Sequence, residues 1–162
     1  MPDPKPEPSR GPSPEPSDEA RLFTLFNEIG IIHQLSGTAF ERVLPHGLTQ
    51  AQFTVLNHCV RLGDNKTPAQ LASAFQVTRG TLTSTLQRLE AKGFVEIVPD
   101  SRDGRSKRVL LTPSGRDAAA ACIAAAAPIL TRAREALSRD EVEDLLPVLT
   151  KLRVWLDENR GL

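Results

Sequence analysis

The sequence predicts a mainly α-helical fold that contains one small β-hairpin. Apolar residues recur at helical spacing in six segments, and three of these segments begin with Ser or Thr followed three residues later by Gln or Glu, the signature of a capping box. Two short stretches rich in β-branched residues flank an Asp-Gly pair between the fourth and fifth segments. With 162 residues, 40% of them hydrophobic, the chain has the size of one domain with one core.

The first seventeen residues contain seven prolines and almost no apolar side chains. Such a segment cannot bury enough surface to offset the entropy cost of ordering, so residues 1–17 are predicted to form a disordered tail with extended polyproline character. A solvated tail and a docking motif for a partner are both compatible with this composition. The single folded domain is expected to span residues 18–162.

Two helices are predicted in the first third of this domain. The first runs from about Asp18 and ends before Pro45, because apolar residues recur at helical spacing between these positions. The second begins after Thr49, whose capping-box partner is Gln52. Its inward-facing residues are expected to be Phe53, Leu56 and Val60.

Two further helices are predicted to follow each other across the brief connection "FQVT". In the first of them, Thr67 is the N-cap, Pro68 occupies the first helical position and Gln70 completes the capping box. In the second, the apolar spacing turns one face inward and Gly93 supplies the left-handed residue that ends the helix. The inward residues of this second helix are predicted to be Leu82, Leu86 and Leu89.

A β-hairpin and two more helices complete the domain. The strands are predicted in "FVEIV" and "SKRVLLT", with Asp103-Gly104 in the loop between them. Thr112 and Pro113 then open an alanine-rich helix that is expected to reach about Leu137, and Ser138 with Glu141 caps the last helix. Because an interior proline removes a hydrogen bond, bends are expected at Pro128 and Pro147.

The charge of the chain sums to zero, but its distribution is uneven. Residues 79–116 hold eight basic and four acidic groups, a net of +4. Two helices at a tight turn followed by a hairpin are the order of a winged helix-turn-helix, in which the second helix enters the major groove of DNA. Five basic residues surround the hairpin loop of this segment: Arg102, Arg105, Lys107, Arg108 and Arg116.

The outer face of the second helix of this pair suits contact with base edges. It presents Gly80, Ser84, Gln87 and Ala91, flanked by Thr81, Thr83 and Arg88. Small polar side chains permit close approach, Gln87 can pair with adenine, and Arg88 or Arg79 can contact guanine or phosphate. A merely solvated helix face and a merely solvated hairpin are the alternatives. The residues assigned to DNA contact are Arg79, Thr81, Thr83, Ser84, Gln87, Arg88, Arg102, Asp103, Arg105 and Lys107.

At these residues the sequence resembles the MarR family of winged-helix transcription regulators. The stretch Asp100 to Arg105 matches the family's D-x-R-D-x-R wing, and Leu111-Thr112 with Gly115 matches its L-T-x-x-G. "GLTQAQFTVL" and "TRGTLTSTLQRLEAKGFV" resemble its second helix and its recognition helix, so that the resemblance spans about residues 22–156. It implies a DNA-binding lobe at about 48–115 and dimerisation helices at about 18–44 and 113–158.

The resemblance also implies an obligate homodimer that presents two recognition helices to a pseudo-palindromic operator in double-stranded DNA. By position, Arg105 would enter the minor groove at the wing tip. Asp103 would orient neighbouring arginines, and Arg102 would contact phosphate or hold the wing.

Members of this family often release DNA when a small aromatic anion binds or when a cysteine is oxidised. Residues that could line such an effector pocket here are Phe26, His33, Phe53 and His58. Ordinary core histidines are the alternative for the two imidazoles. Cys59 and Cys122 are predicted to be small core residues rather than sensors, since each lies in an apolar helical context.

The sequence shows no spacing of a metal site, no nucleophile with a base, and no glycine-rich phosphate loop, so neither a cofactor nor catalysis is expected. The chain is expected to be cytoplasmic and free of membrane segments. The main hypothesis is a dimeric, sequence-specific regulator that acts as a repressor and is released by a small molecule. A winged-helix protein-interaction module and a non-specific architectural DNA binder are the alternatives.

Overall fold

A computed structural model describes residues 15–101, residue 103 and residues 106–161. Most of the predicted tail, together with Arg102, Gly104 and Arg105 of the predicted wing, lies outside the described residues. The helices are α1 (Asp18–Glu41), a short 3-10 turn (Pro45–Gly47), α2 (Gln50–Leu62), α3 (Pro68–Phe75), α4 (Arg79–Ala91), α5 (Pro113–Ala133) and α6 (Arg139–Glu158). The strands are β1 (Val95–Pro99) and β2 (Lys107–Leu111). The predicted mainly α-helical, winged helix-turn-helix fold is confirmed.

The chain divides into two units, residues 1–36 and residues 37–162. In its described part the first unit is the N-terminal stretch of α1, on which Leu22, Phe23, Ile32 and Leu35 are each more than half exposed. The second unit holds the remaining elements and the hydrophobic core. None of the helices among the described residues combines the length and the apolar character needed to cross a membrane.

The core is built from α2, α3, α4, the hairpin and the start of α5. Leu82, Leu86 and Leu89 on α4 are each at most 2% exposed, which confirms the predicted inward face. On α2 the prediction was partly wrong, because Val60 is 44% exposed. The buried stripe of α2 is Gln52, Val55, Leu56 and Cys59, and Val60 lies about 100° around the helix from Cys59.

The predicted capping boxes of α2, α3 and α6 are all present. At α2 the Thr49 hydroxyl accepts from the Gln52 amide at 3.3 Å, and the Gln52 side chain accepts from the Thr49 amide at 3.0 Å. Helix α5 ends at Ala133, four residues earlier than predicted, because residues 134–136 donate to carbonyls three residues back and tighten the chain into a turn. Both α5 and α6 continue through their interior prolines, Pro128 and Pro147, so neither proline ends its helix.

The two strands pair antiparallel, with Val95 opposite Leu111 and Pro99 opposite Lys107. A third segment, which the sequence analysis missed, extends this sheet on the far side of β2. The Asn65 amide donates to the Val109 carbonyl at 2.8 Å, and the Val109 amide donates to the Lys66 carbonyl at 2.9 Å. The hairpin is therefore fastened to the chain that leads directly into α3.

Gly115 lies in the first turn of α5, where the helix starts against the hairpin. A Cβ added there would be 2.0 Å from the backbone oxygen of Phe94 and 2.8 Å from Leu111 Cδ1. The N-cap Thr112 reinforces the contact, since its hydroxyl donates to the Gly93 carbonyl at 2.8 Å and its amide to the Phe94 carbonyl at 3.2 Å. The absence of a side chain at Gly115 thus permits this close backbone packing.

The outer parts of α5 and α6 carry large apolar side chains that this single chain leaves exposed. No described residue of α6 is buried. Just after its C-terminal end, Arg160 Nη1 donates to the Ser73 carbonyl near the end of α3 at 3.1 Å and to the Ser73 hydroxyl at 3.4 Å. The exposed apolar residues of the two helices are Ile123, Leu130, Val142, Leu145, Leu146, Val148, Leu149, Val154, Trp155 and Leu156.

Candidate nucleic-acid interface

The turn between α3 and α4 sets the direction of α4. Gln76 adopts a left-handed conformation with φ of 53° and ψ of 39°, and its amide donates to the carbonyls of the last turn of α3. Two residues later Thr78 caps α4, since its hydroxyl accepts from the Thr81 amide at 3.1 Å. Only residues 76–78 therefore separate α3 from α4, and the first residues of α4 are exposed to solvent.

All predicted contact residues on α4 are exposed: Arg79, Thr81, Thr83, Ser84, Gln87 and Arg88. Thr83 donates its hydroxyl hydrogen to the Arg79 carbonyl at 2.7 Å, which leaves the oxygen lone pairs of Thr83 to accept from a ligand. The Thr81 hydroxyl is hydrogen-bonded to that of Thr78 at 2.8 Å. Because Thr81 and Thr83 are already fixed locally, Ser84 and Gln87 are the α4 side chains best placed to make new hydrogen bonds on this face.

Three of the predicted residues line one cleft between α4 and the hairpin: Thr83, Gln87 and Lys107. The cleft has a volume of about 310 Å³, and its wall also includes Glu90 and Ile97. The structure therefore brings a predicted base-reading residue and a predicted phosphate-binding residue to the same groove.

Glu90 contributes to this arrangement and was missed by the sequence analysis. Its Oε1 accepts a hydrogen bond from the Ile97 amide on β1 at 3.2 Å, so it connects α4 to the hairpin. A signal existed in the sequence, because Glu90 is the single acidic residue of α4 and lies three positions after Gln87 on the same side of the helix.

The five basic residues around the hairpin loop do not share one environment. Lys107 is exposed, whereas Arg108 and Arg116 make ion pairs with Asp100 at 2.7 Å and Asp64 at 3.4 Å. Arg102 and Arg105 lie outside the described residues. Asp103, which was also predicted to act in the wing, is exposed, and its backbone carbonyl accepts a hydrogen bond from the Ser106 amide at 2.8 Å.

The candidate effector residues are spread over both units. Phe26 and His33 belong to the first unit and are exposed. In the second unit, Phe53 packs half-buried against the core, and the His58 ring meets the Phe75 ring edge-on at 5.0 Å. Partial burial, with smaller contributions from the cations Lys66 and Arg61, lowers the pKa of His58 and so favours its neutral imidazole. A shared effector site for these four residues stays a prediction.

Both cysteines are buried, as expected of core residues. Burial and the nearby carboxylate of Asp64 raise the pKa of Cys59 from 9.0 to about 11, and burial raises the pKa of Cys122. Folding therefore favours the neutral thiol of Cys59, and this stabilising contribution is present below pH 9 and is lost as the pH rises toward 11.

At pH 8, native Cys59 is expected to react with Ellman's reagent about 100-fold more slowly than in the unfolded chain, since its raised pKa lowers the thiolate fraction by about that factor. The Cys122→Ala variant isolates the reaction of Cys59, and the Cys59→Ala variant isolates that of Cys122. Native Cys59 that reacts as fast as in the unfolded chain would instead be a candidate redox sensor.

Among the residues that the structure describes, no three His, Cys, Asp or Glu side chains are grouped as a metal site would require.

Comparisons with known proteins place this interface in context. A model of the MarR family matches residues 46–106. The transcriptional activatory protein BadR of Rhodopseudomonas palustris is 35% identical over 97 residues, which are 59% of this chain and 54% of BadR, so the match spans about half of that relative.

Several solved structures are similar to this fold. Wild-type apo MarR from E. coli has a TM-score of 0.69 and 32% identity, covering 79% of this chain and 95% of MarR. A mutant E. coli MarR complexed with operator DNA has a TM-score of 0.69 and 30% identity, covering 85% and 99% of the two chains. BldR from Sulfolobus solfataricus has a TM-score of 0.70 and 28% identity, covering 85% and 98%.

Proposed function

Because this chain belongs to the MarR family of transcriptional regulators, we propose that it binds double-stranded DNA as a dimer and recognises a specific sequence. The observation that carries the proposal is the cleft between α4 and the hairpin, in which Thr83, Gln87 and Lys107 lie together. A helix face of small polar side chains beside a basic hairpin suits a major groove flanked by phosphates. Operator DNA, with which a similar E. coli MarR was crystallised, is the proposed partner.

In this proposal, different side chains of α4 and of the hairpin have different roles. Ser84 and Gln87 read base edges, since both are exposed and Gln can pair bidentately with adenine. Arg79, Arg88 and Lys107 contact phosphates and fix the register of the protein on the duplex. Arg105 extends the contact into the adjacent minor groove, whose negative potential attracts arginine. Asp103 orients the neighbouring arginines, and Arg102 contacts phosphate or holds the wing.

The second copy in the proposed dimer covers the exposed apolar side chains of α5 and α6. Exposed apolar patches of this extent usually mark an interface on a protein that acts in water. A twofold dimer presents two copies of α4 to half-sites about one helical turn apart, so the expected operator is pseudo-palindromic.

A regulator bound to a promoter can block access of the polymerase. We therefore propose that this chain is a repressor and that a small aromatic molecule releases it from DNA. Phe26, His33, Phe53 and His58 are the proposed effector contacts. The name of BadR, an activatory protein, makes activation the competing outcome. In vitro transcription from the bound promoter, with and without the protein, distinguishes the two.

The first experiment measures binding of the purified chain to the intergenic DNA beside its own gene, near physiological salt and with excess competitor DNA. Saturable binding at one pseudo-palindromic site is the expected result. Equal and strongly salt-dependent binding to all sequences would favour an architectural DNA binder. The absence of DNA binding would favour a protein-interaction module.

The Gln87→Ala and Lys107→Ala variants test the two proposed roles. Gln87→Ala is expected to weaken binding to the specific site by about 10- to 100-fold and to leave binding to random DNA almost unchanged, because a bidentate base contact contributes about 1–3 kcal/mol of discrimination. Lys107→Ala is expected to weaken binding to both kinds of DNA and to reduce the slope of log K against log salt by about 2, since each protomer of the proposed dimer loses one phosphate contact. Fluorescence anisotropy over a salt series measures both, and an equal loss on all sequences for Gln87→Ala would contradict base reading by α4.

A further inference from the structure

We infer that Arg108 is a positioning residue that holds the hairpin at a fixed angle to the helix-turn-helix, and that it makes no contact with DNA. The inference rests on the proposed function. It gives Arg108 a different role from its neighbour Lys107, although both belong to the group of basic residues around the hairpin loop.

The guanidinium of Arg108 connects three parts of the chain. Its Nε donates to Asp100 Oδ2 at 2.7 Å, where β1 has just ended, and its Nη1 donates to the Asn65 carbonyl at 3.0 Å, in the segment before α3. Asp100 in turn closes the start of the hairpin loop, since its amide donates to the Ser106 carbonyl at 2.9 Å. One side chain on β2 therefore connects the loop end of the hairpin to the segment that leads into the helix-turn-helix.

The loop that receives Arg108 is itself held against β2. Asn65 adopts a left-handed conformation with φ of 62°, and its amide bonds to Val109 beside Arg108. One residue earlier, Asp64 Oδ2 accepts from the Leu111 amide at 2.8 Å. Because α3 begins at Pro68, any shift of the hairpin against this segment changes the position of the wing relative to α3 and α4.

Arg108 faces away from the proposed DNA groove. Successive residues of a strand point to opposite faces of a sheet. Lys107 lines the cleft with Thr83 and Gln87, whereas Arg108 lines a separate cleft with Asn65 and Asp100.

The burial of the ion pair also opposes a swing of Arg108 toward a phosphate. The Asp100 side chain is only 9% exposed, and that of Arg108 is 27% exposed. Separating the pair would remove a 2.7 Å charge-assisted hydrogen bond from a carboxylate that is largely buried, so the pair resists separation. Arginine suits this task because its planar group holds two acceptors at once, which the point charge of lysine does not reproduce.

The test compares Arg108→Lys, Asp100→Asn and the double variant with the wild type. Lys107→Ala is the control, because it removes the neighbouring cation and leaves the pair of Arg108 and Asp100 intact. Arg108→Lys preserves the charge that a phosphate contact needs but loses the two-acceptor geometry. Asp100→Asn makes the hairpin more positive without touching the proposed DNA groove, so long-range electrostatics alone predicts tighter binding. If Arg108 acts by positioning the hairpin, each single variant is instead expected to bind the specific site about 10-fold more weakly than the wild type. The double variant is expected to lose no more affinity than either single variant, because both residues act through one ion pair.

Two further measurements separate positioning from a general loss of structure. Hydroxyl-radical footprinting is expected to show that Arg108→Lys loses protection in the minor groove beside each half-site and keeps protection by α4, at a temperature where circular dichroism shows the variant to be folded. Hydrogen exchange without DNA is expected to accelerate at least 10-fold at the amides of Asn65 and Val109 in Arg108→Lys and Asp100→Asn, and not in Lys107→Ala.

Wild-type DNA affinity in Arg108→Lys, together with equal or tighter binding in Asp100→Asn, would overturn the inference. If the wild type bound no DNA at all, the proposed function would fail. The exchange rates would then still decide whether Arg108 fixes the hairpin to the segment before α3, and unchanged rates at Asn65 and Val109 would refute that contact.

Discussion

Replacing Gly115 with alanine is expected to lower the free energy of unfolding by about 3 kcal/mol or more. A methyl group at this position would stand 2.0 Å from the backbone oxygen of Phe94, and a backbone atom cannot move aside as the end of a flexible side chain can. Relief requires that the first turn of α5 separate from the hairpin, which also breaks the hydrogen bond from the Thr112 hydroxyl to the Gly93 carbonyl. Urea or thermal denaturation at fixed protein concentration measures the loss.

Gly80→Ala is the matched control for this substitution. Gly80 also lies in the first turn of a helix, α4, but an added Cβ would meet only the Thr78 hydroxyl, at 3.9 Å. Alanine has the higher helix propensity, so Gly80→Ala is expected to leave the stability unchanged or to raise it by up to about 1 kcal/mol. A Gly115→Ala protein as stable as the Gly80→Ala protein would show that α5 tolerates a side chain against the hairpin.

The double variant Leu145→Asp, Leu149→Asp is expected to be monomeric and to bind the specific DNA site at least about 100-fold more weakly. Both leucines lie on one face of α6, and neither is buried in the single chain, at 44% and 40% exposed. A carboxylate at each position opposes the burial of this face against a second copy. The large effect on DNA follows because two linked recognition helices bind one site with an avidity that a single helix lacks.

Analytical ultracentrifugation measures the dimer, and anisotropy with the specific duplex measures the affinity. Lys151→Asp is the control, because it places the same residue on α6 but away from the face of Leu145 and Leu149. It is expected to remain dimeric. A double variant that stays dimeric and binds DNA normally would contradict a dimer built on this face of α6.

Local signals in the sequence were sufficient for most of the fold. The caps at Thr49, Thr67 and Ser138 act within three residues, so the starts of α2, α3 and α6 could be predicted from the residue types alone. The inward face of α4 followed from the spacing of its leucines for the same reason. For the candidate site, this is why the exposed face with Ser84 and Gln87 could be predicted.

Contacts between segments distant along the chain could not be predicted in this way. The pairing of Lys66 with Val109 joins residues 43 positions apart, and no local pattern marks residues 64–66 as a strand. Arg108 and Lys107 look alike in sequence, and only the direction of the strand face separates the ion-paired residue from the one that lines the cleft with Thr83 and Gln87. Val60 was misassigned because the spacing of α2 fits two neighbouring stripes, and packing against the rest of the core selects one of them.

The small sheet of the wing leaves little edge for another chain to join. On one side, residues 65 and 66 occupy the hydrogen-bonding groups of Val109 at the middle of β2. On the other, the Glu90 carboxylate accepts from the Ile97 amide, and β1 ends in Pro99, which has no amide hydrogen to donate. Exposed strand edges are common starting points for aggregation. If the hairpin extends toward DNA as proposed, it stays exposed whenever no DNA is bound, and its occupied edges then oppose edge-to-edge association with other copies of the chain.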